Sequence, residues 1–230
     1  MISLTPDIMP VSRLWPSLLA CIAAFWISDV HTRPPNTRNV VSITPHDKYS
    51  SSIGVLGCKV DTNRIAYWPL EVGCDGICVK VSNEGRFLHL LRIDKSGGAY
   101  DISYDAWNYL GFGTSAVDDP HFDGGIQMSY EIVDASECQH LLNEGKLPLS
   151  AANSMNYVSS CISQPTSWVA QNYQLYNIND MVCKYGIDEK CDLDLTISNQ
   201  PHCPSGLGSV QQLESKVKNI VYGTGELIPG

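Results

Sequence analysis

Tyr67, Trp68, Tyr100, Tyr104 and Trp107 are aromatic side chains gathered in one stretch of chain. Rings of this kind can cover the apolar faces of pyranose sugars, so together they have the makings of a sugar-stacking platform. They are equally suited to filling a core. Trp107 reads as core, whereas Tyr67 and Trp68, just before Pro69, suit either role. Other chemistry is poorly represented. Ser, His and Asp are all present, but no GxSxG nucleophile motif occurs. GFG (111–113) and GTG (223–225) lack the strand–loop–helix setting of a phosphate loop. The acidic run DDPHFDGG (118–125) lacks the ligand spacing of a calcium loop and reads as solvated. Among the cysteines only Cys74 and Cys78 are close, as CxxxC, and one isolated His202 lies between Cys191 and Cys203. No metal site and no cofactor are expected. His89, within an apolar run, reads as a satisfied wall residue.

The elements that must carry these residues follow from periodicity. Val79 and Val81 alternate with Lys80 and Ser82. Asn83-Glu84-Gly85 then makes a tight turn into Phe87–Ile93, an apolar return strand ended by Gly97-Gly98. Ser103 is placed to cap a short helix that puts Trp107 and Leu110 on one face and stops at Gly111. A last strand sets Ile126, Met128, Tyr130 and Ile132 against Gln127, Ser129 and Glu131. Beyond Cys138 the pattern changes. Helices are expected over 136–144, 151–161, 167–178 and 209–222, the last with Ser209 and Gln212 as a capping box. A cysteine loop separates the final two.

The chain has 230 residues, 43% of them hydrophobic and 17% charged, with 24 acidic against 15 basic residues. The resulting charge of −9 argues against nucleic acid and against anionic lipid, and suits a neutral or cationic partner. Residues 1–24, with Arg13 ahead of an apolar run too short for a comfortable membrane span, read as a signal peptide. Residues 25–52, polar and Pro-rich, read as a disordered leader or propeptide, so that folded structure begins near Ile53. Removing the signal with Cys21 leaves eight cysteines: Cys58, Cys74, Cys78, Cys138, Cys161, Cys183, Cys191 and Cys203. An even set of this kind predicts four disulfides in a secreted, extracellular protein that has no membrane attachment after cleavage.

Three segments, CDGICVKVSNEG (74–85), LLRIDKSGGAYDISYDAWNYLGFG (90–113) and GGIQMSYEIVDASEC (124–138), together resemble the double-psi β-barrel of barwin-like proteins, expansins and small secreted endoglucanases. The cysteine-paired element, the Asp before a Gly-rich loop, the Asp-x-Ser just before a helix and the terminal SYEIVD strand carry the likeness over about a third of the chain. The resemblance implies a mainly β fold: a six-stranded double-psi β-barrel over 53–138, followed by a helical, disulfide-bearing extension over 139–230 packed on the barrel. By analogy with barwin it implies Cys58–Cys74 and Cys78–Cys138, leaving Cys183–Cys191 and Cys161–Cys203 for the extension.

The resemblance also names site residues. Asp101 matches the acid that lies in the polysaccharide groove of expansins and serves as general acid in the endoglucanases. The other reading of Asp101 is an acceptor of loop backbone hydrogen bonds. Asp94, Tyr67, Trp68, Tyr100 and Tyr104 complete the expected glycan-binding set, with Asp105 inside the helix. Hydrolysis needs a second carboxylate. Pro69 stands where the endoglucanases carry that base, and Asp61, Glu71 and Asp75 lie off the motif. The expectation is a monomeric, non-hydrolytic protein that binds cell-wall polysaccharide. The alternative is a fungal effector or defence-related protein using the barrel as a platform for a host or other extracellular protein. A third reading is a glycan-cleaving enzyme with Asp61, Asp75 or Asp94 facing Asp101.

Overall fold

The computed structural model describes residues 39–215 and 217–230. The signal-peptide segment 1–24, Cys21 and the first part of the expected leader lie outside the described residues. The described residues lie in one unit. Its barrel strands are β1 (Asn39–His46), β2 (Ile65–Trp68), β3 (Cys78–Asn83), β4 (Arg86–Lys95), β5 (Tyr100–Ser103) and β6 (Ile126–Val133), with helix α1 (Tyr104–Phe112) between the last two. They close in the order β1-β5-β2-β4-β3-β6. The parallel pairs β1/β5 and β2/β4 interlock through antiparallel β2/β5, and the remaining pairs are antiparallel. This is the double-psi barrel.

The barrel starts earlier than the sequence suggests. Strand β1 falls inside the segment read as a disordered leader. Its Val40-Val41-Ser42-Ile43-Thr44 run is short and ends at Pro45, so composition hides it. Pairing on both sides and full burial of Ile43 hold it in the wall. The β3–β4 hairpin turns as expected, with Glu84 at φ 46° and Gly85 at φ 83°, the left-handed pair of a type I′ turn. Helix α1 runs one residue past Gly111 and is capped by Gly113, φ 89°, whose N–H donates to Tyr109 O. Ser103 stands at its N-cap position but does not cap it. Its hydroxyl donates to Thr62 O (2.7 Å) and accepts from Ile65 N–H (3.0 Å), tying β5 to the entry of β2.

Two cores result. One fills the barrel and runs under α1: Ile43, Trp68, Val79, Val81, Leu90, Ile102 and Met128 pack with Trp107 and Leu110. The other lies outside the wall, where Ile65, Tyr67, Leu91 and Ile93 meet Val55, Leu149, Val158, Leu175 and Val217. The extension is therefore part of the same fold. It consists of β7 (Leu147–Ser150), α2 (Met155–Ile162), α3 (Trp168–Gln171), β8 (Tyr173–Ile178), β9 (Gly186–Cys191) and the hairpin β10 (Lys218–Ile220) with β11 (Leu227–Pro229). Strands β7, β8 and β9 form a mixed sheet.

The extension holds less helix than its periodicity predicts. The segment expected to be helical over 167–178 begins as the short helix α3, but its second half is β8, where Leu175, Tyr176, Asn177 and Ile178 are all buried. A strand buried on both faces leaves apolar residues in a run that helical periodicity also fits. The expected helix over 209–222 is irregular chain followed by β10. Val217 and Ile220 are pinned against the cores, and Gly223-Thr224-Gly225 turns the chain back into β11, so packing overrides propensity. Residues 135–141 form a 3₁₀ turn.

All eight cysteines are paired, and Cys78–Cys138 joins β3 to the chain after β6 as the barwin analogy implied. The other three expected pairs are corrected to Cys58–Cys183, Cys74–Cys161 and Cys191–Cys203. Two of these staple the barrel to the extension. The physical reason is the shared outer core: the extension lies against the wall, so cysteines distant in sequence become neighbours.

Candidate functional site

Strand register builds one row of polar groups across four adjacent strands. Asp94 on β4 is paired with Tyr67 on β2, Tyr67 with Asp101 on β5, and Asp101 with Thr44 on β1. Residues directly opposite share a face, so the two carboxylates flank the tyrosine on the outside of the barrel. A bulge in β4 opposite Ala66/Tyr67 brings Asp94, rather than Ile93, into the row. The Thr44 hydroxyl donates to Asp101 Oδ1 and the Ser50 hydroxyl to Asp94 Oδ2. Lys95 N–H donates to Asp94 Oδ1 at 2.8 Å. Both carboxylates are half-buried.

The floor of this row is roofed. Tyr67 is 3% exposed. His46 lies over it with ring centroids 4.3 Å apart, and buried Tyr49 packs in the same core. The roof is latched: Tyr49 OH donates to Val55 O (2.9 Å), and Asn219 on β10 accepts from Tyr49 N–H (3.0 Å). Between roof and floor, a space lined by His46, Tyr49, Tyr67, Asp105 and Asn219 amounts to about 20 Å³. That is room for about one water and not for a sugar. Burial, followed by the charges of Asp94 and Asp101, holds the Tyr67 hydroxyl well above the usual tyrosine range. Burial does the same for Tyr49, reinforced by Tyr67 and Asp94.

The other expected glycan residues are dispersed. Trp68 alternates inward from Tyr67 and is fully buried, edge-on to Tyr100 (5.2 Å) and Tyr130 (4.5 Å). Tyr104 is buried, its hydroxyl donating to His121 O (2.8 Å) and accepting from Gly223 N–H (3.2 Å). Trp107 is core, as its helix face predicts. Only Tyr100 of the expected aromatic set keeps appreciable exposure. The structure therefore does not assemble Tyr67, Trp68 and Tyr104 into a platform open to solvent. In a six-stranded barrel, alternation sends neighbouring residues to opposite faces, and here both faces are covered.

The remaining acids have other partners. Asp105 accepts from Arg64 Nη1 (2.8 Å) and from Ala116 N–H (2.9 Å), locking the start of α1. Asp61 accepts from Asn63 N–H (3.0 Å), Glu71 pairs with Lys95, and Asp75 accepts from Trp168 N–H (2.7 Å) at the start of α3. Of Asp61, Asp75 and Asp94, the acids named as a possible second carboxylate, Asp94 alone shares a row with Asp101. Pro69 follows β2 directly. Thr44 and Ser50 were not legible as site residues, because nothing local marks them as partners of acids 57 and 44 residues away.

Fold and site together define a disulfide-stapled double-psi β-barrel protein with a roofed acidic row on its outer wall. No protein-family model matches the chain, and none of the curated proteins does. Two solved structures are similar to it at a TM-score of 0.33. The crystal structure of cerato-platanin 3 from M. perniciosa shares 16% identity, covering 44% of this chain and 99% of its own. The solution structure of the fungal elicitor cerato-platanin shares 21%, covering 44% and 98%. The barrel assignment rests on the strand order itself. Among the described residues no helix is long and apolar enough to cross a membrane, and no cluster of three or more His, Cys, Asp or Glu could hold a metal ion. Four disulfides fit an oxidising compartment.

Proposed function

We propose that this chain is a secreted, non-hydrolytic binding protein whose barrel is a rigid scaffold and whose recognition takes place on exposed outer surface. The observation that carries this reading is the roof of His46 and Tyr49 over Tyr67, the residue between the two carboxylates, which is left 3% exposed. A glycosidase must seat a pyranose between two carboxylates with space for water. Here Asp101 and Asp94 each hold a hydroxyl of their own chain instead. One positioned acid supplies about 10²–10⁴-fold, far short of a glycosidase's acceleration. The test is a reducing-end assay on soluble β-glucans and chitin oligomers from pH 4 to 7 with the purified protein. No turnover is expected. Turnover abolished by Asp101→Asn would overturn the reading.

A protein partner is the second reading, favoured by one element. The Cys191–Cys203 disulfide closes a loop whose neck is tied by the backbone bonds of Asp192 and His202 (2.9 and 2.8 Å). It presents Ile197 at 83% exposure. A fixed apolar side chain of this kind lowers the ordering cost of binding.

A further inference from the structure

Where β6 ends, Ile132, Val133, Asp134 and Ala135 meet Asp75 and Trp168 around a concavity of about 210 Å³. Asp75 belongs to the loop before β3 and Trp168 opens α3, so barrel and extension both contribute. The walls are of two kinds. Ile132 is 50% exposed and Trp168 is half-buried against the outer core, which makes one side apolar. The polar side is Asp75 and Asp134. Asp75 Oδ1 accepts from Trp168 N–H (2.7 Å), and Asp134 Oδ1 accepts from Ser136 N–H (2.9 Å) and the Ser136 hydroxyl (2.6 Å). These bonds fix where the two carboxylates stand, use one oxygen of each, and hold the Asp134 carboxyl below the usual carboxylate range. Among the described residues the second oxygen of each has no hydrogen-bond donor, and neither acid has an ion-pair partner. The buried guanidinium of Arg92 is spent on carbonyls, Nε and Nη2 on Gly76 O (2.9 and 2.7 Å) and Nη1 on Glu71 O (2.8 Å). Two exposed carboxylates against one buried guanidinium leave the concavity net negative.

We infer that this concavity is a docking site for a lysine or arginine side chain of a protein partner. The inference rests on the proposed non-hydrolytic binding role, takes its protein-partner reading, and names the chemistry and the surface. The unpaired acids select a cation, and the chain's charge of −9 steers a basic polypeptide toward them. Ile132 and Trp168 select an alkyl stem. Lysine and arginine lay their methylenes along apolar surface while the charged head reaches a polar rim, and an aromatic face attracts that head further. A bare cation would leave the apolar wall unused. The volume lies below the range for drug-sized ligands, about 300–1,000 Å³, and suits a single side chain. The site is also held in advance. Cys74–Cys161 anchors the residue before Asp75 to α2, and Cys78–Cys138 ties the chain after Ala135 to β3. Little ordering is left for the partner to impose. None of the residues of the acidic row takes part.

Amide NMR titration of the full, oxidised protein with Nα-acetyl-lysine methylamide and Nα-acetyl-arginine methylamide tests this. The norleucine analogue serves as the neutral match for lysine, and spermidine as a cation without a peptide. At least one basic analogue is expected to bind with about millimolar affinity, with shifts centred on residues 74–77, 132–136 and the Trp168 indole. Asp75→Asn combined with Asp134→Asn should weaken it by about tenfold or more, and about 0.5 M salt should weaken it too. Each amide keeps an oxygen that can accept the loop bonds, so the fold should hold, and thermal denaturation checks this. Trp168→Ala should weaken binding and Trp168→Phe retain it. No shifts with either basic analogue, equal shifts with norleucine, or binding unaffected by the paired Asp→Asn change overturns the site. Spermidine binding at these residues without either analogue overturns the protein partner. Any of these results together with an absence of glycan turnover leaves the non-hydrolytic reading standing, whereas turnover removes that reading first.

Discussion

Asp101 meets the Thr44 hydroxyl across β5 and β1, and that contact gives it structural work independent of any ligand. Asp101→Asn keeps an oxygen that can accept, so its stability should change by under about 1 kcal/mol. Asp101→Ala strands a half-buried hydroxyl and should cost about 1–2 kcal/mol. Thr44→Val should cost a similar amount, and the double variant less than the sum, since both single changes remove the same contact. Urea denaturation of the three variants measures this, and strict additivity would show that the contact contributes nothing. The two carboxylates were picked out by the family resemblance, which sets one Asp before the Gly-rich loop and another just before the helix. The burial of Tyr67 was not legible. Its roof comes from a segment that composition reads as disordered and from β10, about 150 residues downstream. Phe87 was hidden the other way: a run apolar in sequence reads as wall, whereas the structure leaves Phe87 exposed on the outer face.

At the scale of elements, the family resemblance implied the six-strand barrel, whose hairpin, Gly breaks and helix lie close together in sequence, but β1 stayed hidden in the segment read as a leader. The extension was not. Its strands β7 and β8 are parallel and separated by two helices, and β8 is buried on both faces, so no local alternation distinguishes it. The expected cysteine pairs other than Cys78–Cys138 failed for the same reason. Cys58–Cys183 and Cys74–Cys161 span 125 and 87 residues and depend on how the extension lies on the wall. Their lengths also rank their contributions. Closing loops of this size should stabilise by about 4–5 kcal/mol in the chain-entropy account, against about 3 for Cys191–Cys203, which spans 12. Paired Cys→Ser variants followed by chemical denaturation should show Cys58/Cys183 and Cys74/Cys161 costing more than Cys191/Cys203. The reverse order would mean that the extension keeps its place on the barrel without staples.

For the molecule as a whole, the outer core joins barrel to extension through buried tyrosines, and this makes the fold sensitive to alkali. Tyr49 and Tyr67 are held protonated above the usual tyrosine range, chiefly by burial and then by neighbouring acidic groups. In the unfolded chain both ionise near pH 10. A group whose folded value is raised contributes its stability in full below the unfolded value and loses it as pH rises beyond. The part of the stability that these two groups govern should thus be flat up to about pH 10, then fall by roughly 1.4 kcal/mol per pH unit for each tyrosine kept neutral, or about 3 for the pair. Absorbance at the tyrosinate band, recorded together with far-ultraviolet circular dichroism, reads both events. The chain has eleven tyrosines. The buried set should ionise only as the circular dichroism collapses, in one step in which roof, acidic row and extension come apart together. Ionisation of all eleven near pH 10 with an unchanged spectrum would show that water reaches Tyr67, and that the roof over the acidic row opens in solution.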